Sequence, residues 1–317
     1  MTVTVRAFAK INLGLYIGAL REDGYHDLHT VYQTIALHDV VRVSVGRGTG
    51  IEIQCADPRV PCDKSNTCFR VAGRVLDALD AIGKVTIEIE KRLPVQGGLG
   101  AASSNAVAAM IGLEHALRKP LEQRVRLRIA ADVGSDLPQF VVGGTVLGVG
   151  RGEEVYPLAD FASTAVVVVT PEIGVSTPKA FGDWDRLTHL GASDRLLEVG
   201  RVLSAWLVSP NTGAPALGRS RAGSPLLDLV RTGIENDFER VVFPQYPELR
   251  DIKGALQRAG AAYVSLSGSG STVYGLFRTR AAATKAADRL TKQGLRAMAT
   301  TTLTRQQYWK KSLVAGG

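Results

Sequence analysis

Five short stretches carry residues suited to chemistry. The longest is Pro94-Val95-Gln96-Gly97-Gly98-Leu99-Gly100-Ala101-Ala102-Ser103-Ser104-Asn105, a glycine-rich turn running into an apolar helix. Glycine adopts positive φ without strain and lets backbone approach a ligand, and a helix starting here aims its unpaired N–H groups and positive dipole end into the turn. That arrangement is an anion seat; the plainer alternative is a flexible loop before a serine-capped helix. In Lys10-Ile11-Asn12-Leu13, strand alternation puts Lys10 and Asn12 on one face. Asp136 stands at a turn in Gly134-Ser135-Asp136-Leu137-Pro138, and Tyr25-His26, at the exit of the Asp23-Gly24 turn, could stack on and hydrogen-bond a heterocycle. Ser267-Gly268-Ser269-Gly270-Ser271 is a second glycine-serine loop. Each also has an ordinary use: a solvent-facing strand edge for Lys10, a helix cap or turn for Asp136, partly exposed packing for Tyr25 and His26, a tight hairpin for the second loop.

Two familiar phosphate loops are disfavoured. A Walker A loop needs a lysine after its last glycine, and none stands here; a dinucleotide fingerprint needs a third glycine where Ser103 stands. The preceding run, Val85-Thr86-Ile87-Glu88-Ile89-Glu90, alternates apolar and polar, as a strand with one wet face does, whereas a dinucleotide-fold strand is buried on both faces. The loop is therefore expected to hang from a partly antiparallel sheet.

The elements that must position these residues follow from periodicity. Strands are expected at 10–17, 31–37, 41–45, 51–55 and 85–90, and helices at 66–79 with Ser65 or Asn66 as cap, at 106–117 and at 122–133. From residue 165 the pattern restarts as strand 165–170, helix 246–259, strands 262–266 and 272–277, helix 281–293 and strand 296–302. That βαββαβ order is the split-βαβ, ferredoxin-like arrangement. The class is α+β, divided at 1–160 and 161–317. A stretch at about 184–231, rich in Gly, Pro and Ser near its end, reads as a surface insertion with a mobile loop. Two glycine-rich loops in two compact halves point to a ligand at their junction.

At 317 residues and 45% hydrophobic composition the chain can bury a substantial core. No apolar run is long enough to cross a bilayer and no signal-peptide pattern opens the chain, so a cytoplasmic protein without a membrane partner is expected. Three cysteines without paired spacing argue against disulfides or zinc. The net charge of +8 favours small polyanions; with basic residues scattered and aromatics at only 6%, a nucleic-acid partner is not expected.

Taken together, these motifs resemble the GHMP kinase family. Pro94 to Ser104 looks like its P-x-x-x-G-L-G-x-x-S-S phosphate signature and Leu266 to Ser271 like its C-terminal glycine-rich motif, with Ala9 to Leu13 and Asp23 to His26 in the matching order. The resemblance implies an N-terminal domain like the second domain of ribosomal protein S5, a ferredoxin-like C-terminal domain, and ATP with Mg²⁺ in the cleft. It implies catalytic roles for Lys10 and Asp136, and ATP binding by Asn66, Pro94, Gly97, Gly98, Leu99, Gly100, Ala101, Ala102, Ser103 and Ser104, with Ser103 or Ser104 the candidate metal ligand. Asn12, Tyr25, His26 and Phe181 would bind a cytidine diphosphate-linked polyol acceptor from isoprenoid precursor synthesis, the acceptor of the member it most resembles, with Tyr25 and Phe181 as opposed stacking faces. A monomer or weak homodimer is expected. Other family acceptors (homoserine, mevalonate, a sugar) and a non-catalytic nucleotide-binding regulator are the alternatives. The chain departs from the family at Ala101-Ala102, where glycines are common; alanine should already be helical or extended there, leaving Gly97, Gly98 and Gly100 to turn.

Overall fold

The computed structural model describes residues 2–187, 200, 226, 230 and 233–314. β1 (Thr2–Leu20) and β2 (His26–Gly46) form a long antiparallel hairpin. Asp23 Oδ1 accepts from the Tyr25 amide in its turn, and Gly24 supplies the positive φ. The two runs expected at 31–37 and 41–45 are one strand, because His38 and Asp39 keep pairing with Phe8 and Ala7 across the break in apolar pattern. β3 (Gly50–Cys55), β4 (Lys84–Glu90), β5 (Thr145–Val149) and β6 (Glu154–Pro157) complete the first sheet, in the order β3-β4-β2-β5-β6 with β1 on β2; only β3 and β4 run parallel. β4 alternates buried and open positions as its sequence does.

One face of this sheet is covered by α1 (Thr67–Ala78), α2 (Ala101–Leu117) and α3 (Gln123–Val133), with Val5, Ala7, Val43 and Ile87 beneath Val71, Ala109, Met110 and Leu113. Gly112 lets α2 lie on the sheet: a Cβ there would stand 2.7 Å from Val43. The short helix α4 (Leu137–Val142) follows Asp136.

The second half begins with β7 (Ala165–Val169) and α5 (Thr177–Leu187), and continues with α6 (Glu239–Gln245), α7 (Pro247–Arg258), β8 (Tyr263–Leu266), β9 (Val273–Phe277), α8 (Arg280–Lys292) and β10 (Ala297–Thr301). Its sheet runs β10-β7-β9-β8, antiparallel throughout, the strand order of a ferredoxin-like unit. Most of the stretch at about 184–231 lies outside the described residues; its first residues close α5, where Trp184 is buried in the core of this half.

The last helix, α9 (Arg305–Ser312), has no counterpart in the expected element order, because eight residues with lysines and glutamines carry little periodic signal. It returns to the first half. The Tyr308 hydroxyl donates to the Phe140 carbonyl at 2.7 Å and Trp309 Nε1 to the Val142 carbonyl at 3.0 Å. Those carbonyls end a six-residue helix and would otherwise lack partners. The chain terminus thus steadies the helix that Asp136 opens.

Candidate active site

The glycine-rich loop turns through Gln96 (φ 59°), Gly98 (φ 78°) and Gly100 (φ 66°). Gln96 rather than Gly97 takes the first left-handed position; Gly97 is needed for space, since a Cβ there would meet Pro94 Cγ at 2.8 Å. Gly98 faces the second loop, and its Cβ would fall 2.1 Å from the Ser267 carbonyl oxygen. Ala101 and Ala102 are helical, so α2 starts five residues earlier than its apolar run shows. No side chain caps its first turn, so the amides there keep their donor capacity beside a cavity of about 340 Å³.

Asn66, Pro94, Gly97, Gly98, Leu99, Gly100, Ala101, Ala102 and Ser103 all line that cavity, with Pro61, Cys68, Ile89 and Lys91 opposite. Asn66 acts as wall builder: its side chain caps α1 by accepting from the Cys68 amide and donates to the Pro61 carbonyl. Ser104 stands apart from the lining. It is buried, and its hydroxyl donates to the Phe8 carbonyl at 2.7 Å, so of the two candidate metal-ligand serines only Ser103 opens on the cavity. Among the described residues no three His, Cys, Asp or Glu side chains cluster as a metal site. Asn105, which sequence reasoning left without a role, lines the cavity nine-tenths buried with its Oδ1 unpartnered.

Beside this seat Lys10 is buried, its backbone amide bonded to the Leu99 carbonyl and its Nζ donating to Asn12 Oδ1 at 2.6 Å. A register shift between Phe8 and Lys10 breaks the regular pairing of β1, a device that re-aims a side chain. Lys10 Nζ lies 3.5 Å from Asp136 Oδ2, and Asp136 is open to solvent over 38% of its side chain. Asn12 Nδ2 donates in turn to Thr30 Oγ1. Tyr32, absent from the expected site, donates its hydroxyl to Asp136 Oδ1 at 3.1 Å; burial first and the neighbouring carboxylate second raise its pKa well above the phenol value. Alternation along β2 puts Thr30, Tyr32 and Thr34 on one face, but only the register with β1 shows that Tyr32 pairs with Asn12. The second loop closes the cluster: a Cβ on Gly268 would stand 3.5 Å from Lys10 Nζ and 3.6 Å from Asn12 Oδ1.

A further group gathers at the start of β2. The Tyr25 ring is half exposed with the Arg151 guanidinium 5.0 Å from its centroid, a partner that sequence reasoning missed. His26 is buried and stacked on Phe181, centroids 5.1 Å apart and planes within 5°. Phe181, expected to oppose Tyr25, thus lies on the imidazole, with its edge contact to Phe238 fixing the ring. The structure therefore joins Lys10, Asn12, Asp136 and the loop in one cluster and His26 with Phe181 in another, while the Tyr25 ring, next in the chain to His26, lies against Arg151.

Cradle, buried lysine and carboxylate, set between a mixed sheet and a ferredoxin-like sheet, define a class. Residues 66–144 match the family model described as GHMP kinases N terminal domain and residues 217–295 the one described as GHMP kinases C terminal, the latter starting inside the stretch at about 184–231. The chain belongs to the GHMP kinase family. It is 37% identical over 286 residues to the 4-diphosphocytidyl-2-C-methyl-D-erythritol kinase of Solibacter usitatus, covering 90% of this chain and 84% of that one. It is 36% identical over 283 residues to the enzyme of that name from Acaryochloris marina, covering 88% of each. A crystal structure of 4-(cytidine 5'-diphospho)-2C-methyl-D-erythritol kinase superposes with a TM-score of 0.73 at 29% identity, over 94% of this chain and 98% of that one. The homoserine kinase of Cytophaga hutchinsonii superposes with a TM-score of 0.74 over 97% and 96% at 20% identity, a likeness of fold alone. Among the described residues no helix is long and apolar enough to cross a membrane.

Proposed function

We propose that this chain transfers the γ-phosphoryl group of ATP to a hydroxyl of 4-diphosphocytidyl-2-C-methyl-D-erythritol, in the cytoplasm, as a step of isoprenoid precursor synthesis. The observation that carries this reading is the contact of Lys10 Nζ with Asp136 Oδ2 at 3.5 Å, beside the uncapped start of α2. The relatives that share the chain's length act, by name, on that acceptor.

In the reaction the acceptor oxygen forms a bond to the γ-phosphorus, the bond from that phosphorus to the bridging oxygen breaks, and ADP leaves with the electron pair. Asp136 orients the hydroxyl and takes its proton; Lys10 balances the charge that develops on the attacking and transferring oxygens. Amides at the start of α2 hold the phosphates, and magnesium enters as part of the nucleotide substrate, with Ser103, of the two candidate serines, the one whose residue faces the cavity. Asn12 holds Lys10 in place and meets the acceptor from the same face. Tyr25 and His26 engage the cytosine, Tyr25 through its open ring.

A coupled assay of ADP release tests this, with the cytidyl acceptor run beside homoserine and mevalonate. Turnover is expected only with the cytidyl acceptor. Turnover with one of the smaller acceptors instead would transfer the chain to another branch of the family, and ATP-analogue binding without turnover of any would support a regulator.

A further inference from the structure

We infer that Asn236 is a positioning residue for phosphoryl transfer, holding the second glycine-serine loop in place over Lys10, an inference that rests on the role given to Lys10 above. Asn236 is buried, and both ends of its amide are engaged. Nδ2 donates to the Leu266 and Gly268 carbonyls, each at 2.9 Å, and Oδ1 accepts from the Phe238 amide at 3.0 Å. The opposite orientation would set the side-chain oxygen against two carbonyls, so these contacts fix which end faces the loop. Gly268 is the residue whose Cβ, were it present, would stand 3.5 Å from Lys10 Nζ and 3.6 Å from Asn12 Oδ1. The part of the loop that Asn236 grips is therefore the part that lies on the lysine.

The same segment is fixed to the strand that carries Lys10. Just before α6 the chain lies along β1: the Leu15 amide donates to the Glu235 carbonyl at 2.9 Å, the Asp237 amide to the Leu15 carbonyl at 2.8 Å, and the Ile17 amide to Asp237 Oδ2 at 3.0 Å. Gly14 permits that approach, since a Cβ there would fall 2.3 Å from Ile234 Cγ1. Asn236 thus sets the spacing between β1 and the loop. The flanking strands have their own ties, the Tyr263 hydroxyl to the Leu13 carbonyl and the Tyr274 hydroxyl to the Asn12 carbonyl, but these hold β8 and β9 rather than the turn. Ser267 to Ser271 is serine and glycine throughout, so its backbone is free enough that its place depends on what is fastened to it. Lys10 serves charge that develops only as the phosphoryl group moves, and a small displacement of the wall over such a group costs rate rather than binding.

The test is steady-state kinetics on the full chain with ATP and the cytidyl acceptor both varied, beside a urea midpoint for each variant. Asn236→Ala is expected to lower kcat about 10- to 100-fold with both KM values within about threefold. Asn236→Asp has nearly the same shape and keeps the bond from the Phe238 amide, but it sets a carboxylate oxygen against the two carbonyls and should lower kcat at least as far. Should Asn236→Ala fail to fold, Asn236→Asp carries the test, with ATP-analogue affinity as the report of an intact fold. Ile252→Val, a core truncation in α7, shows what lost stability does by itself: a lower midpoint with kcat unchanged. A folded Asn236 variant with wild-type kcat and only a lowered midpoint would overturn the positioning role and leave the substrate reading standing. If the wild-type protein phosphorylates a smaller acceptor instead, the substrate reading fails and the same variants assayed with that acceptor still decide the role of Asn236. A wild-type protein that turns over no acceptor would sink both.

Discussion

The Ser267 hydroxyl donates to the Gly98 carbonyl across 2.9 Å, so the second glycine-serine loop is fastened to the first glycine-rich loop. The Thr272 amide adds a bond to the Gly97 carbonyl at 3.2 Å. Together the two loops form one hydrogen-bonded wall between the two halves. The second loop is held from behind by Asn236, whose side-chain amide donates to the Leu266 and Gly268 carbonyls.

Gly98→Ala is expected to break this joint. The new methyl would need positive φ and would fall 2.1 Å from the Ser267 oxygen and 2.9 Å from that of Gly270, both backbone. ATP-analogue affinity should drop about tenfold or more, in keeping with the effect of small misplacements on positioned groups. Ser267→Ala removes one neutral hydrogen bond and should cost about 1 kcal/mol of stability. Titration of the analogue and a urea midpoint separate the two; equal effects of both variants would show that the loops are not coupled through Gly98.

Asp136→Asn and Lys10→Met should each lower kcat by about 10² to 10⁴ while leaving the KM for ATP within a few-fold, since both act on charge that develops in the transition state. Tyr32→Phe keeps the ring under Lys10, 5.4 Å from Nζ, and loses only the bond to Asp136, so its effect should be smaller. Steady-state kinetics with both substrates varied reads these outcomes. Wild-type turnover in Asp136→Asn would remove that residue from the mechanism.

Periodicity located the second sheet's strands almost to the residue, because Ala165 to Val169 and Val273 to Phe277 are continuously buried and are bounded by Pro, Gly and Ser. Alternation likewise put Lys10 beside Asn12, since two residues on one strand share a face whatever the tertiary fold. Tyr32, Arg151 and Asn236 were not legible. Tyr32 reaches Asp136 across 104 positions and Asn236 reaches Gly268 from another segment, contacts set by register and packing that no local pattern encodes. The start of α2 was misread for a local reason: Ala101 to Asn105 lacks an apolar stripe, and the helix begins there because Gly100 takes the left-handed turn that precedes it.

The cysteines should react in a fixed order. Cys62 is exposed, Cys55 is half-buried and Cys68 is buried at the wall of the cavity beside the glycine-rich loop, where burial pushes its thiol up to about 12. A thiol reagent near neutral pH should label Cys62 quickly, Cys55 slowly and Cys68 only in denaturant, because the thiolate is the reactive form. Peptide mapping after timed labelling decides the order. Modification of Cys68 in the folded protein at the rate of Cys62 would contradict the packing of α1 against the loop.

Alkaline pH should destabilise the fold through three buried tyrosines and a fourth, Tyr263, that is partly buried. Tyr32, Tyr263, Tyr274 and Tyr308 all have raised pKa values, in each case chiefly because burial penalises the phenolate. Their hydroxyls donate to Asp136, to the Leu13 carbonyl, to the Asn12 carbonyl and to the Phe140 carbonyl, so losing the proton removes a donor and sets a phenolate against an acceptor. The sign follows from linkage: above the phenol value of 10.0 the unfolded chain releases these protons while the folded chain keeps them. Stability from this source is fully present below that pH and declines as pH rises through the folded values, by up to about 1.4 kcal/mol per pH unit for each tyrosine. Urea midpoints should stay level in this respect from neutral pH to about 9 and fall steeply beyond 10, each loss of midpoint accompanied by the near-ultraviolet absorbance of phenolate. Tyr308→Phe lacks one titrating group without vacating its ring position. It should be less stable near neutrality by about 1 kcal/mol for the lost bond to Phe140 and should show a shallower alkaline decline; a slope equal to that of the wild-type protein would mean that Tyr308 does not keep its proton in the folded state.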